Sequence, residues 1–454
     1  MRRSATARYC PVRFGSAAKA GSRVKSQKSW TGRMLFSMLL NRPLEKQTPP
    51  GGRIRWRGNM DTTRRGCLRA ALALAAAQEC AGPSERTDSS FDPWIEIHPD
   101  NLRHNVKEVS RRAGSRPILA VIKNNGYGLG VSNAARVFEP MPEVAGFAVV
   151  KLDEAFTLRE SGIKKPVLLM GPFDERNLED VAAKNILPMV YTALGPALER
   201  VAQRLQRPVD LHVCVDTGLG RVGVPYREAA VLIRDLAGHK GVRVAGTMMT
   251  FTEDPDFDQE QLHRFRTLSS SLEAEGVRLG RKHAASSFTL FQHPDAFLDM
   301  VRPGMALFGV YSEPQFRGRR ILDLRPGVAL KTRVVYVKQL PKNESAGYER
   351  VYMAQRDTWM ATLPVGHADG APRALAKGAR VRIREELFPV VAVSASHLIV
   401  EIGNEPKVKV GDLATVFDWT EGSRPEDVGA ACGASVYDLT MHLNPLLPRR
   451  FVSN

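Results

Sequence analysis

From Trp94 to Gly309 the chain repeats one pattern: a short apolar run, a stretch with helical spacing, then another apolar run. The runs fall at 117–122, 147–150, 166–170, 187–191, 209–215, 242–249, 282–287 and 300–301. Helical patterns at 101–113, 152–161, 175–184, 196–205, 227–237 and 259–276 separate most of them. Strands joined through helices do not pair as hairpins, so the repetition predicts a parallel sheet. About eight such units in about 230 residues is the size of a closed (β/α)8 barrel. After Arg319 the texture changes. Apolar runs at 328–339, 359–364, 379–383, 390–394, 397–402 and 414–418 are divided by Gly, Pro and Asp turns, with few helical patterns between. That reads as an antiparallel β domain. The expected architecture is α/β: a basic leader over 1–92, a TIM-like (β/α)8 barrel over 93–322, and a mainly antiparallel β domain over 323–454.

The net charge of +17 suggests a nucleic-acid binder until it is located. Residues 1–60 carry +13 of it, with Glu45 as their single acid, and the remaining residues carry only +4. The body therefore gives no electrostatic reason to expect a nucleic-acid partner. The leader is too poor in periodic apolar residues to bury a core, and disorder is expected there. Its Arg- and Ser-rich, acid-poor composition suits an organelle transit peptide. A second reading starts the protein at Met60, followed by Arg64-Arg65 and a mostly apolar stretch over 67–77, like a twin-arginine export signal. The second reading implies an exported, periplasmic protein; otherwise an organellar or cytoplasmic one is expected. No apolar run reaches 18 residues, so no membrane span is expected. The body holds only Cys214 and Cys432, with no CxxC or HxxxH spacing, so neither a disulfide framework nor a metal site is expected.

The sharpest chemical signal is Ala120-Val-Ile-Lys123-Asn-Asn-Gly-Tyr127-Gly-Leu-Gly130. A lysine ends an apolar strand, and three glycines follow within seven residues. In a barrel this places an amine at the C-terminal mouth, where active sites sit. Taken alone, the same pattern also fits a surface lysine before a turn. Further motifs follow in order: Asp216-Thr-Gly-Leu-Gly-Arg221-Val-Gly, His283-Ala-Ala-Ser-Ser287, Met300-Val-Arg302-Pro-Gly304, Ala306-Leu-Phe-Gly309, Gly347-Tyr348, and Pro364-Val-Gly-His-Ala-Asp369-Gly. Together with the opening Trp94-Ile-Glu-Ile-His, this series resembles the alanine racemase family from about Trp94 to Phe451. Ordered motifs are far more specific than any one of them.

The resemblance implies pyridoxal 5'-phosphate as cofactor and racemisation of an amino acid, L-alanine to D-alanine by default. Lys123 is implied to hold the cofactor covalently and to act as base on one face of the substrate Cα. Tyr348, supplied by the partner subunit of a homodimer, is implied to act on the opposite face. Two opposed proton carriers suit racemisation, because a planar carbon must be reprotonated from its other side. Arg302 is implied to face the pyridine nitrogen, and Arg221 to grip the substrate carboxylate. Tyr127, Ser287, Gly304 and Tyr437 are implied to hold the phosphate.

Several positions depart from the family pattern. The His of its Thr-His-Phe motif is Thr250, its often carbamylated Lys is Cys214, its phosphate-side Asn is Ser286, and its Gly-Tyr-Ala-Asp tyrosine is His367. The Ser/Cys-Met-Asp stretch that closes the substrate pocket reads Ser394-Ala395-Ser396. Ala395 enlarges that pocket. A hydrophobic pocket discriminates one methylene by only ~1–3 kcal/mol, so the change predicts broader specificity. A decarboxylase of related barrel fold, or a cofactor-binding homologue with little turnover, are the alternative readings.

Overall fold

The computed structural model describes residues 91–453. The expectations for the leader, including the export-like stretch after Met60, lie outside the described residues. Seven parallel strands run in sequence order around the barrel: Ile118–Val121, Val144–Val149, Val167–Leu169, Ile186–Val190, Val209–Asp216, Val242–Met248 and Arg281–His283. The eighth stave is residues 299–303. It bonds to Arg281–His283 on one side, with Asp299 N–H donating to Lys282 O at 3.0 Å. On the other side it meets the first barrel strand, where Leu119 and Val121 N–H donate to Val301 and Pro303 O, each at 2.9 Å. The barrel is thus closed, but this stave is only a bridge between Ile118 and Val301. Pro303 has no N–H to extend the ladder, which keeps the stave short.

The helices follow their amphipathic patterns with small shifts at the ends. The longest, Pro255–Ala274, starts four residues before its apolar pattern does. Asp254 caps it, accepting from Asp256 and Phe257 N–H at 3.2 Å, and Pro255 occupies the first turn, where its missing N–H costs nothing.

The second body is a nine-stranded sheet, antiparallel except for one pair. Three features differ from the expected layout. Trp94–Ile97 leaves the barrel and pairs with Val328–Arg333 and Arg449–Phe451. A barrel beginning at 93 therefore begins with a strand of the other sheet. The expected long strand over 328–339 breaks after Arg333. Val328–Arg333 pairs with Leu413–Phe417, whereas Tyr336–Leu340 pairs with Thr358–Leu363. The break lets the sheet change partners at Val334 and Val335, whose N–H groups donate to Asp412 and Thr362 O at 2.9 Å. Finally, two helices, Pro425–Cys432 and Val436–Met441, interrupt the β domain near its end. The second returns to the barrel mouth. Among the described residues, no helix is long and apolar enough to cross a membrane.

Ile95 is fully buried and lies opposite Leu330, so it ties the start of the described chain to the second sheet. Ile95→Ala is expected to cost about 2–5 kcal/mol of stability, read as a lower urea midpoint at unchanged slope.

Candidate active site

Lys123 follows the first barrel strand and enters a tight turn of unusual hand. Asn124, Asn125, Gly126 and Tyr127 all have φ between 51° and 61°. Left-handed backbone costs most residues energy, but Gly avoids that cost and Asn offsets it through local hydrogen bonds. Here Asn125 Oδ1 accepts from Val131 N–H at 3.2 Å. Asn125 N–H in turn donates to Glu154 at 2.7 Å, and the same carboxylate accepts from Lys151 N–H at 3.2 Å. The turn is thereby pinned to the neighbouring strand end. From the C-terminal body, Arg449 donates to Gly128 O at 2.8 Å. Asn124 Nδ2 lies 3.3 Å from Met441 Sδ on the returning helix.

The Lys123 amine opens into a cavity of about 680 Å³ at the barrel mouth. Its pKa is pushed down, first by burial and then by the Arg221 and Arg302 guanidiniums, with Glu154 opposing. A lysine so placed yields free amine, the nucleophilic form, more readily than an exposed one.

Arg302 is buried on the cavity wall with no carboxylate beside it. Nη1 donates to His283 Nδ1 at 2.8 Å, and Nη2 donates to Met249 O at 3.1 Å and Thr250 Oγ1 at 3.2 Å. A guanidinium can only donate, so Nδ1 of His283 is an acceptor. The neutral ring then carries its proton on Nε2 and donates to His212 Nδ1, 2.9 Å away. A side chain on Gly246 would place its Cβ 2.6 Å from the His212 ring, so a glycine is needed there. Burial first, and the charge of Arg302 second, push the His212 pKa down to about 4 and that of His283 well below its ordinary value. Burial lowers Arg302 to about 10, so it stays charged at neutral pH.

Opposite lies an anion cradle. The N–H groups of Gly304 and Ala306 converge on Ser287 Oγ at 3.0 and 3.1 Å. A Cβ on Gly304 would meet the Tyr127 hydroxyl at 2.1 Å, so the bare backbone is what leaves the cradle open. Burial pushes the Tyr127 phenol up, and burial with Glu253 and Glu313 pushes Tyr437 up to about 12. Both phenols remain hydrogen-bond donors at neutral pH. Converging amides, a hydroxyl and two protonated phenols suit a phosphate. Beside them, a lysine and a charged guanidinium suit an aldehyde-bearing heterocycle. The residues present fit pyridoxal 5'-phosphate.

Arg221 also lines the cavity. Asp216 shapes its loop by accepting from Gly218 N–H at 2.9 Å and Gly220 N–H at 3.1 Å. Cys214 lies buried in the wall, and burial pushes its thiol up to about 11, so it stays neutral. Seven sequence-predicted residues, Lys123, Tyr127, Arg221, Ser287, Arg302, Gly304 and Tyr437, therefore share one cavity. Tyr348 and Ala395 do not line it. Tyr348 is 80% exposed on a short helical turn of the second body, and Ala395 is exposed on a loop of the same body. Sequence reasoning passed over His212, the role of His283, Lys151 and Glu253. The pairing of the two histidines has no sequence signal, since they lie on strands separated by a third, Val242–Met248.

His212 gives a pH dependence. Its folded-state pKa lies below its ordinary 6.5, so the unfolded chain binds more protons between the two values. Stability is full above pH 6.5 and falls as pH drops toward 4, by at most about 3 kcal/mol from this ring. Urea midpoints measured from pH 7.5 to 4 should fall, and His212→Gln should flatten that slope.

The chain matches the family descriptions "Alanine racemase, N-terminal domain" over residues 97–312 and "Alanine racemase, C-terminal domain" over residues 327–451. It is 31% identical over 371 residues to alanine racemase 2 of Caldanaerobacter subterraneus subsp. tengcongensis, covering 79% of this chain and 94% of that one. It is 32% identical over 373 residues to the alanine racemase of Desulfovibrio desulfuricans, covering 80% and 99%. Among solved structures, alanine racemase from the D-cycloserine producer Streptomyces lavendulae superposes with a TM-score of 0.75 at 26% identity, covering 81% of this chain and 98% of that one. Histidine racemase from Leuconostoc mesenteroides subsp. sake superposes with a TM-score of 0.69 at 26% identity, covering 80% and 98%.

Proposed function

The chain belongs to the alanine racemase family and is an amino-acid racemase; from that premise we propose that it works with pyridoxal 5'-phosphate, by two opposed bases, in a homodimer with shared sites. The observation that carries this reading is the meeting of a depressed lysine amine, a buried guanidinium and an anion cradle in one cavity. When bound, the cofactor supplies an electron sink that acidifies the substrate Cα–H.

The chain's own residues do the rest. Lys123 holds the cofactor and moves the Cα proton on one face. Arg302 would face the pyridine nitrogen with a charge that no carboxylate neutralises, which would keep that nitrogen unprotonated and moderate the sink. The cradle around Ser287 and Gly304 fixes the phosphate, and Arg221 binds the substrate carboxylate. Tyr348 is the second base. It stands exposed and outside the cavity of its own chain, as a residue donated to a partner's cavity would. Ala395 is exposed on the same body, and its small side chain leaves room for substrates larger than alanine.

Lys123→Ala and Tyr348→Phe should each abolish racemisation, followed by chiral separation and Cα deuteration in deuterated water. If the two groups come from different subunits, mixing the variants 1:1 under exchange restores about a quarter of wild-type activity. Failure of the mixture to regain activity would place both bases in one chain. Gly304→Ala should weaken pyridoxal 5'-phosphate binding about tenfold or more, with a smaller effect on pyridoxal, which lacks the phosphate.

A further inference from the structure

Glu253 is the single carboxylate among the residues lining the cavity. Its backbone is left-handed, at φ 67°, where a side chain other than Gly or Asn is uncommon. The surrounding structure over-determines that conformation. Glu253 N–H donates to Asp258 at 3.1 Å, Thr252 N–H donates to Gln261 at 2.9 Å, and the Thr252 hydroxyl donates to Asp258 at 3.0 Å. Both acceptors are buried, and Asp254 caps the helix that carries them. The Glu253 carboxylate itself makes no hydrogen bond or ion pair with any described residue; burial, Asp258 and Glu313 push its pKa up, and Arg221 opposes them. A strained, rigid backbone thus presents an acid without a hydrogen-bond partner to the cavity, which is the pattern of a recognition group.

The sign of the recognised group follows from charge matching. Apart from Lys123, whose amine is held toward its neutral form, the lining cations are Lys151, Arg221 and Arg302. A phosphate brings about two negative charges at neutral pH, and a substrate α-carboxylate brings one more. Summed over the cavity, these offset the three cations, so Glu253, attracted by Arg221 but crowded by Asp258 and Glu313, adds negative charge in excess. A side-chain carboxylate would add to the excess, whereas a side-chain cation cancels it. Resting on the reading of the cavity as a racemase site, we infer that Glu253 determines specificity by selecting amino acids whose side chains end in a cation, such as lysine, arginine and ornithine.

The cofactor-loaded full chain should be assayed with L-lysine, L-norleucine, L-glutamate and L-alanine by Cα deuteration and chiral separation. Norleucine has a comparable carbon chain without the ammonium, so it separates charge from the extra room at Ala395. The expected result is a kcat/KM for lysine at least tenfold above norleucine, with that ratio falling at least tenfold in Glu253→Gln. A second readout needs no turnover: calorimetry on Lys123→Ala should show lysine binding more tightly than norleucine, with the difference shrinking at high salt. Lysine equal to or worse than norleucine in both readouts overturns the inference while exchange on alanine leaves the racemase reading standing. Preference for glutamate over lysine overturns the inference and its sign. No exchange with any amino acid overturns both.

Discussion

A guanidinium buried without a carboxylate is the constraint on which the barrel mouth depends. Burying a charge is tolerated only when hydrogen bonds replace the water it loses. Arg302 meets that demand with neutral acceptors: one imidazole nitrogen, one carbonyl and one hydroxyl. Each acceptor comes from the end of a barrel strand or just beyond it, so the hydrogen bonds also fix those ends against one another. The arrangement requires His283 to stay neutral and to hold its proton on Nε2, which in turn dictates the tautomer of His212. Had an acid stood beside Arg302, its charge would have been cancelled. As built, the charge stays available to a ring nitrogen placed before it.

The site is not a property of the barrel alone. The left-handed turn after Lys123 is held from below by Glu154 and from above by Arg449 and the helix Val436–Met441. Thr440 O lies so close to Gly128 that a Cβ there would sit 2.2 Å from it. The second body thus sets the pose of a residue more than three hundred positions away. Its first strand, Trp94–Ile97, comes from before the barrel, and its last, Arg449–Phe451, comes from the end of the described chain. That pairing binds both ends of the described chain into the sheet that steadies the turn, so loosening the sheet should be felt at Lys123.

Much of this was legible in the sequence because it is local. Strand and helix alternation is a short-range pattern, and it located the barrel staves and the lysine at the end of the first. Ordered motifs located the residues that converge on the cavity. What escaped was set by long-range geometry. Trp94–Ile97 reads as a strand, but nothing local says which sheet it joins. The run over 328–339 reads as one strand because β-propensity does not encode the change of partners at Val334. The helix carrying Tyr437 was missed because it is only six residues long, too short for a clear period. Glu253 escaped because a lone acid after an apolar run carries no signal until its backbone hand and its neighbours are seen.

The departures from the family pattern divide into two groups by what surrounds them. Those in the barrel are chemically absorbed. Thr250 supplies a hydroxyl that accepts from Arg302, so the guanidinium keeps an acceptor at that position. Ser286 bonds Thr289 within its own turn at 3.2 Å. Cys214 stays a neutral thiol, adding no charge beside Arg302. The departures on the second body are held more loosely, with one long contact of 3.5 Å from Arg373 to the His367 ring. His367, Ala395 and Ser396 are exposed side by side, with backbone bonds from His367 to Ser394 and Ala368 to Ala395 holding the two loops together. Interior substitutions must satisfy fixed partners, so they preserve chemistry. Exposed substitutions carry no such fixed partners, so they are free to change what a surface admits. The barrel departures therefore keep the chemistry of the cavity, whereas those on the second body alter an exposed surface.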